Sequence, residues 1–126
     1  MDKVLIIEDM PSLRNLLAGS LKQQGYEVIL AENSNEGVAQ FLSQRPDVTV
    51  LDLMPGNLDG CSVLKALYAV DPKKPVVIFT GAGQGNMDEA LRALGGPALI
   101  QKKISLHRLE ETLDSLLHPF KRNFSN

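Results

Sequence analysis

Short apolar runs recur along the chain, separated by longer segments whose apolar residues fall three and four apart. The run Val48 to Asp52 holds Val and Leu with little polar alternation and ends on an aspartate, ahead of Pro55 and Gly56. Such a run predicts a strand buried on both faces, as in a parallel sheet. Lys3 to Ile7, Tyr26 to Ala31, Val76 to Phe79 and Ala98 to Gln101 read as four further strands. Between them, Leu13, Leu16, Leu17 and Leu21 predict a first helix opened by Pro11, whose missing amide costs nothing in a first turn, and ended at Gly25. Ser34 is the expected cap of a second helix carrying Val38, Ala39, Phe41 and Leu42. A third helix follows Gly60 with Val63, Leu64, Leu67 and Tyr68, and a fourth runs from about Met87 to Leu94. Ser105 is the expected cap of a final helix with Leu106, Leu109, Leu113, Leu116 and Leu117 on one side, stopped by His118-Pro119.

Five strand-helix units in sequence predict an α/β fold, a doubly wound parallel sheet with helices on both faces, and right-handed crossovers leave few ways to wind it. The chain of 126 residues has the size of one domain. Residues 1–118 are expected to form it, with 119–126 as a C-terminal tail or the start of a linker. Thirteen basic against 15 acidic side chains leave a net charge of -2, which argues against a broad cationic face for nucleic acid or an anionic membrane. A single cysteine, Cys61, rules out an internal disulfide and suits a reducing compartment. The amino terminus lacks the pattern of a signal peptide, and no stretch approaches the ~20 apolar residues that span a bilayer, so a cytoplasmic protein is expected.

In a parallel sheet, ligands gather at the carboxyl ends of the strands. The polar residues expected there are Glu8 and Asp9, Asp52, Thr80 and Lys102. Three carboxylates within ~4 Å of one another would repel by several kcal/mol per pair at an effective dielectric of ~20, so positive charge must sit among them. A hard divalent cation, magnesium or manganese, answers that need, because it takes oxygen ligands, keeps several waters and uses one or two carboxylates. Lys102 supplies a second positive charge. The set fits a phosphoryl-transfer site: a carboxylate nucleophile, a metal, a lysine and a hydroxyl.

On these residues the chain resembles the receiver domains of bacterial two-component response regulators. The likeness covers nearly all of residues 3 to 117 and rests on Val4 to Asp9, on Asp52 with Asp59-Gly60 behind it, on Thr80-Gly81, and on Lys102 before Ile104 to Leu106. It implies a flavodoxin-like strand order 2-1-3-4-5. It implies that Asp52 accepts a phosphoryl group from a phosphohistidine on a sensor histidine kinase or phosphotransfer protein, and that Glu8, Asp9 and Asp52 hold the metal with the Met54 carbonyl. Thr80 and Lys102 would bind the phosphoryl oxygens and move inward, reshaping the face of the fourth and fifth strands and their helices toward an output domain or effector protein. Dimerisation through the fourth or fifth helix is compatible with it, and no separate substrate turnover is expected.

Three positions depart from the family pattern. Lys103 stands where receivers commonly have a proline after a cis bond; before a non-proline that bond costs ~2.5–4 kcal/mol, so a trans bond and an altered turn are expected. Alternation along the strand favours Lys102 over Lys103 as the lysine of the site. Leu99 replaces a frequent Tyr or Phe, and Pro55 comes one position early. Lys103 and Leu99 leave a receiver-like module that binds partners without phosphorylation as the alternative. An aspartate-nucleophile phosphatase would want a general acid two residues after Asp52, where Met54 stands. The Gly81 to Gly85 loop lacks the Gly-Lys-Ser/Thr ending of a P-loop, and His107 and His118 have no partners at metal-ligand spacing.

Overall fold

The computed structural model describes residues 2–53, 60–80, 98–101 and 106–118, with the backbone alone at 52, 53, 60–62, 79, 80, 98–101 and 106. Its elements are β1 (Lys3–Ile7), α1 (Pro11–Gln23), β2 (Glu27–Ala31), α2 (Ser34–Gln44), β3 (Val48–Leu53), α3 (Gly60–Val70), β4 (Val76–Thr80), β5 (Ala98–Gln101) and a C-terminal helix (Leu106–Leu117). The strands lie in the order β2-β1-β3-β4-β5, every neighbouring pair parallel. The expected winding is met through the first four strands. The helix expected over Met87 to Leu94, the Ser105 cap and the bond before Lys103 lie outside the described residues.

The apolar runs lack alternation because the sheet is covered on both sides. Alternate residues of one strand enter different cores. Val4 and Ile6 join Val48, Val50 and Val77 beneath Leu17, Ala18 and Leu21 of α1 and Leu109 and Leu113 of the C-terminal helix. Leu5 and Ile7 join Leu51, Val76 and Ile78 against Phe41 of α2 and Val63, Leu64, Leu67 and Tyr68 of α3. Each leucine or isoleucine fully buried this way stabilises the fold by about 1.5–3 kcal/mol before chain entropy is counted.

Local chemistry sets the element ends. Pro11 occupies the first turn of α1, and Gly25, at φ +95°, takes the left-handed conformation that closes the turn into β2. Asn33, and not Ser34, caps α2: its Oδ1 accepts the Glu36 amide at 2.8 Å, and Ser34 is already helical. At the other end Arg45 adopts φ 51°, donates its amide to the Phe41 carbonyl at 3.1 Å and passes the chain to Pro46. Gly37 lets α2 lie against β1, since a Cβ there would stand 2.6 Å from Ile7 Cδ1 and 2.9 Å from its Cγ1. Leu16 and Leu42, expected on the inner faces of their helices, are instead among the exposed large hydrophobic residues. No helix among the described residues is long and apolar enough to cross a membrane.

Candidate functional site

Register brings the candidate residues to one edge of the sheet. Ile7 pairs with Leu51, so Glu8, the next residue on the β1 side, stands beside Asp52 on the β3 side. Asp52 pairs with Phe79 and Leu53 with Thr80, which puts the threonine one step beyond Asp52 on the neighbouring strand. Phe79 pairs with Gln101, the residue before Lys102. The structure thus places the backbones of Glu8, Asp9, Asp52 and Thr80 at the carboxyl ends of three adjacent strands. Met54 and Lys102, with Asp59 and Lys103, lie outside the described residues.

Glu8 is completely buried and Asp9 half-buried. Burying a carboxylate is costly unless donors or positive charge face it. One donor is local: Glu8 Oε1 accepts the Met10 amide at 3.0 Å, an amide at the start of α1 where the helix dipole favours negative charge. The Glu8 amide donates to the Ala31 carbonyl at 3.0 Å, extending the β1–β2 ladder one residue past the strand. The Glu8 carbonyl accepts Nη1 of Arg14 at 2.9 Å, while Nη2 of the same guanidinium lies 3.8 Å from Glu32 Oε2.

Sequence reading missed Arg14. A basic residue in the opening turns of a helix opposes the macrodipole, and that misfit was the available signal. The guanidinium sits there because a carbonyl and a carboxylate outweigh the dipole.

The donors offered at this edge are hard oxygens, and a fully buried glutamate beside the end of β3 is a setting that a dication with oxygen preference fits. Among the described residues no three His, Cys, Asp or Glu side chains group as metal ligands; the Asp52 carboxylate is not among the described side chains. The two histidines lie elsewhere: His107 Nε2 is 2.7 Å from Glu111 Oε1, and His118 Nε2 is 2.8 Å from Asp2 Oδ2. Two tyrosines outside the edge are perturbed. Burial pushes the Tyr68 hydroxyl up to about 12, and burial, followed by the charges of Asp114, Asp2 and Glu110, raises that of Tyr26.

Comparison with known proteins covers most of the chain. The response regulator receiver domain family matches residues 4–114. The sporulation initiation phosphotransferase F of Bacillus subtilis is 27% identical over 97% of this chain and 98% of its own length. The chemotaxis protein CheY of Listeria monocytogenes is 30% identical over 89% of the chain and 95% of its own length. Of several longer regulatory proteins that also match, the chain spans between 26% and 52% of the length. A crystal structure of a response regulator receiver domain protein from Clostridium thermocellum superposes with a TM-score of 0.79 at 26% identity, covering 98% of this chain and all of the other.

Proposed function

Because the chain belongs to the response regulator receiver domain family, we propose that it is a phosphorylation-dependent signalling switch in which Asp52 is the phosphoacceptor. The observation that carries this reading is the burial of Glu8 at the strand edge where register sets Asp52 beside it. An Asp52 carboxylate oxygen attacks the phosphorus of a phosphohistidine on a sensor histidine kinase or phosphotransfer protein. The new O–P bond forms as the P–N bond breaks, and the departing imidazole takes up a proton. Water later cleaves the acyl phosphate, so the domain resets itself and turns over no other substrate.

Glu8, Asp9 and Asp52, with the Met54 carbonyl, would hold a magnesium or manganese ion, which when bound offsets the charge of the incoming phosphoryl oxygens. The Thr80 hydroxyl and the Lys102 ammonium take those oxygens. The phosphoryl group adds about -1.5 to -2 charges to an edge that is already acidic. Thr80 and Lys102 follow that charge inward, and the face formed by the fourth and fifth strands of the 2-1-3-4-5 sheet changes shape toward an output domain, an effector protein or a second copy of the chain. The setting is cytoplasmic, where such kinases present their phosphohistidine.

Acetyl phosphate with magnesium, followed by intact mass, tests the reading. The wild-type chain is expected to gain one phosphoryl group and Asp52→Ala none. Lys102→Ala is expected to lose the adduct where Lys103→Ala keeps it. An unmodified wild-type chain would instead support an interaction module that works without phosphorylation, the role that Lys103 and Leu99 would suit. Sustained hydrolysis of phosphate esters would point to a phosphatase.

A further inference from the structure

Arg14 joins three segments at the acidic edge. Its side chain is largely buried, 15% exposed, and its stronger bond is the charge-assisted one to the Glu8 carbonyl at 2.9 Å, Glu32 being 61% exposed and 3.8 Å away. The reason for that bond lies in the ladder. Between β1 and β2 it runs from the Glu27 amide on the Asp2 carbonyl at one end to the Glu8 amide on the Ala31 carbonyl at the other. Continued by one step, the parallel pattern would call on the Asn33 amide to reach the Glu8 carbonyl. Asn33 has left the ladder to cap α2, at φ -152° with its side chain on the Glu36 amide. Arg14, on α1, supplies the missing donor. Its own amide is tied to the Met10 carbonyl at 2.9 Å, so the clamp is anchored at both ends of the Glu8-Asp9-Met10 segment.

We infer that Arg14 is a positioning residue for divalent-cation binding: its guanidinium fixes the peptide between Glu8 and Asp9, and through it the two carboxylates that the cation needs. The inference rests on the receiver reading of the edge. Groups that hold metal ligands from behind commonly change affinity by tenfold to a hundredfold when removed, because the ligands must otherwise be ordered at the moment of binding. The clamp acts on a backbone carbonyl, so both acids feel it together. A single ammonium can keep the carbonyl bond, but it lacks the fork that also reaches Glu32.

Manganese titration of the purified chain, with the free ion followed by its electron paramagnetic resonance signal, tests this alongside thermal unfolding of each variant. Arg14→Ala is expected to bind manganese at least about tenfold more weakly, Arg14→Lys to recover most of the loss, and Glu32→Ala to stay within about twofold of wild type. Saturating manganese should also raise the melting temperature of Arg14→Ala by less than that of wild type. A merely structural role would lower the melting temperature and leave manganese affinity, measured well below melting, unchanged; that result overturns the inference, as does a lysine variant no better than alanine. Should the alanine variant not fold, Arg14→Gln, which keeps a neutral donor without the charged fork, is read by the same criteria. If wild type binds and Arg14→Ala binds equally, only the role of Arg14 falls. If wild type does not bind manganese, the cation site of the receiver reading falls with it.

Discussion

Glu8 and Tyr68 are both polar side chains shut away from water, and they meet burial differently. Glu8 lies at the end of a strand, where turning backbone supplies the Met10 amide. Tyr68 lies in the last turn of α3 among leucines, and its hydroxyl has no hydrogen-bond partner among the described residues. Its pKa of about 12, raised by burial, means that the folded chain keeps the proton longer than the unfolded one, whose tyrosine ionises near 10. Between those two values the unfolded state carries fewer protons, so stability falls as pH rises through this window. Below it the contribution is intact. Tyr68→Phe removes this alkaline loss and also the unsatisfied hydroxyl, so it is expected to be about 1 kcal/mol more stable than wild type at neutral pH. Urea unfolding at about pH 7 and about pH 11 checks this, and the advantage of phenylalanine should be larger at the alkaline value. Tyr26, raised in the same direction, leaves a residual alkaline loss in the variant. At this scale the sequence marks Glu8 and Asp9 by their place after an apolar run. It gives little sign of Arg14, whose role depends on a carbonyl that only the departure of β2 from the ladder leaves without its ladder donor.

Element boundaries were legible where one residue type dominates and blurred where two compete. Pro11 and Gly25 bracket α1 as read from sequence. Asn33 and Ser34 are both good caps, and the side chain that meets the Glu36 amide belongs to Asn33. Asn33→Ala is therefore expected to lower unfolding free energy by about 1 kcal/mol, while Ser34→Ala should stay within about 0.5 kcal/mol of wild type. Thermal melts of the two single variants decide it, and equal losses would return the cap to both residues. The inner faces were overdrawn for a related reason. Four leucines at helical spacing in α1 make a stripe wider than the sheet beneath can cover, so Leu17 and Leu21 are buried and Leu16 is exposed. In α2, Phe41 takes the core and Leu42 turns outward. Gly37 carries a further constraint: Gly37→Ala would press on Ile7 and is expected to cost about 1–3 kcal/mol in chemical denaturation. The cost should be smaller in an Ile7→Val background, where Cδ1, the nearest atom, is absent.

Across the whole molecule, strands that are apolar on both faces, one helix after each of the first three, and polar residues at the strand ends are together enough to give the parallel sheet and its two cores. The acidic edge follows from that architecture, because residues distant in sequence meet only through register: Ile7 with Leu51, and Asp52 with Phe79. Register was not legible in full. A shift of one residue exchanges the faces of a strand, so the roles of Lys102 and Lys103 hang on a single position just after β5. The proposed switch depends on one covalent event at the end of β3. Borohydride reduction of the chain treated with acetyl phosphate and magnesium, followed by peptide sequencing, reads that event directly, because reduction turns an aspartyl phosphate into homoserine. Homoserine at position 52 and at no other aspartate is the expected result; an unreduced Asp52, or homoserine at Asp9 or Asp59 in its place, would contradict the account.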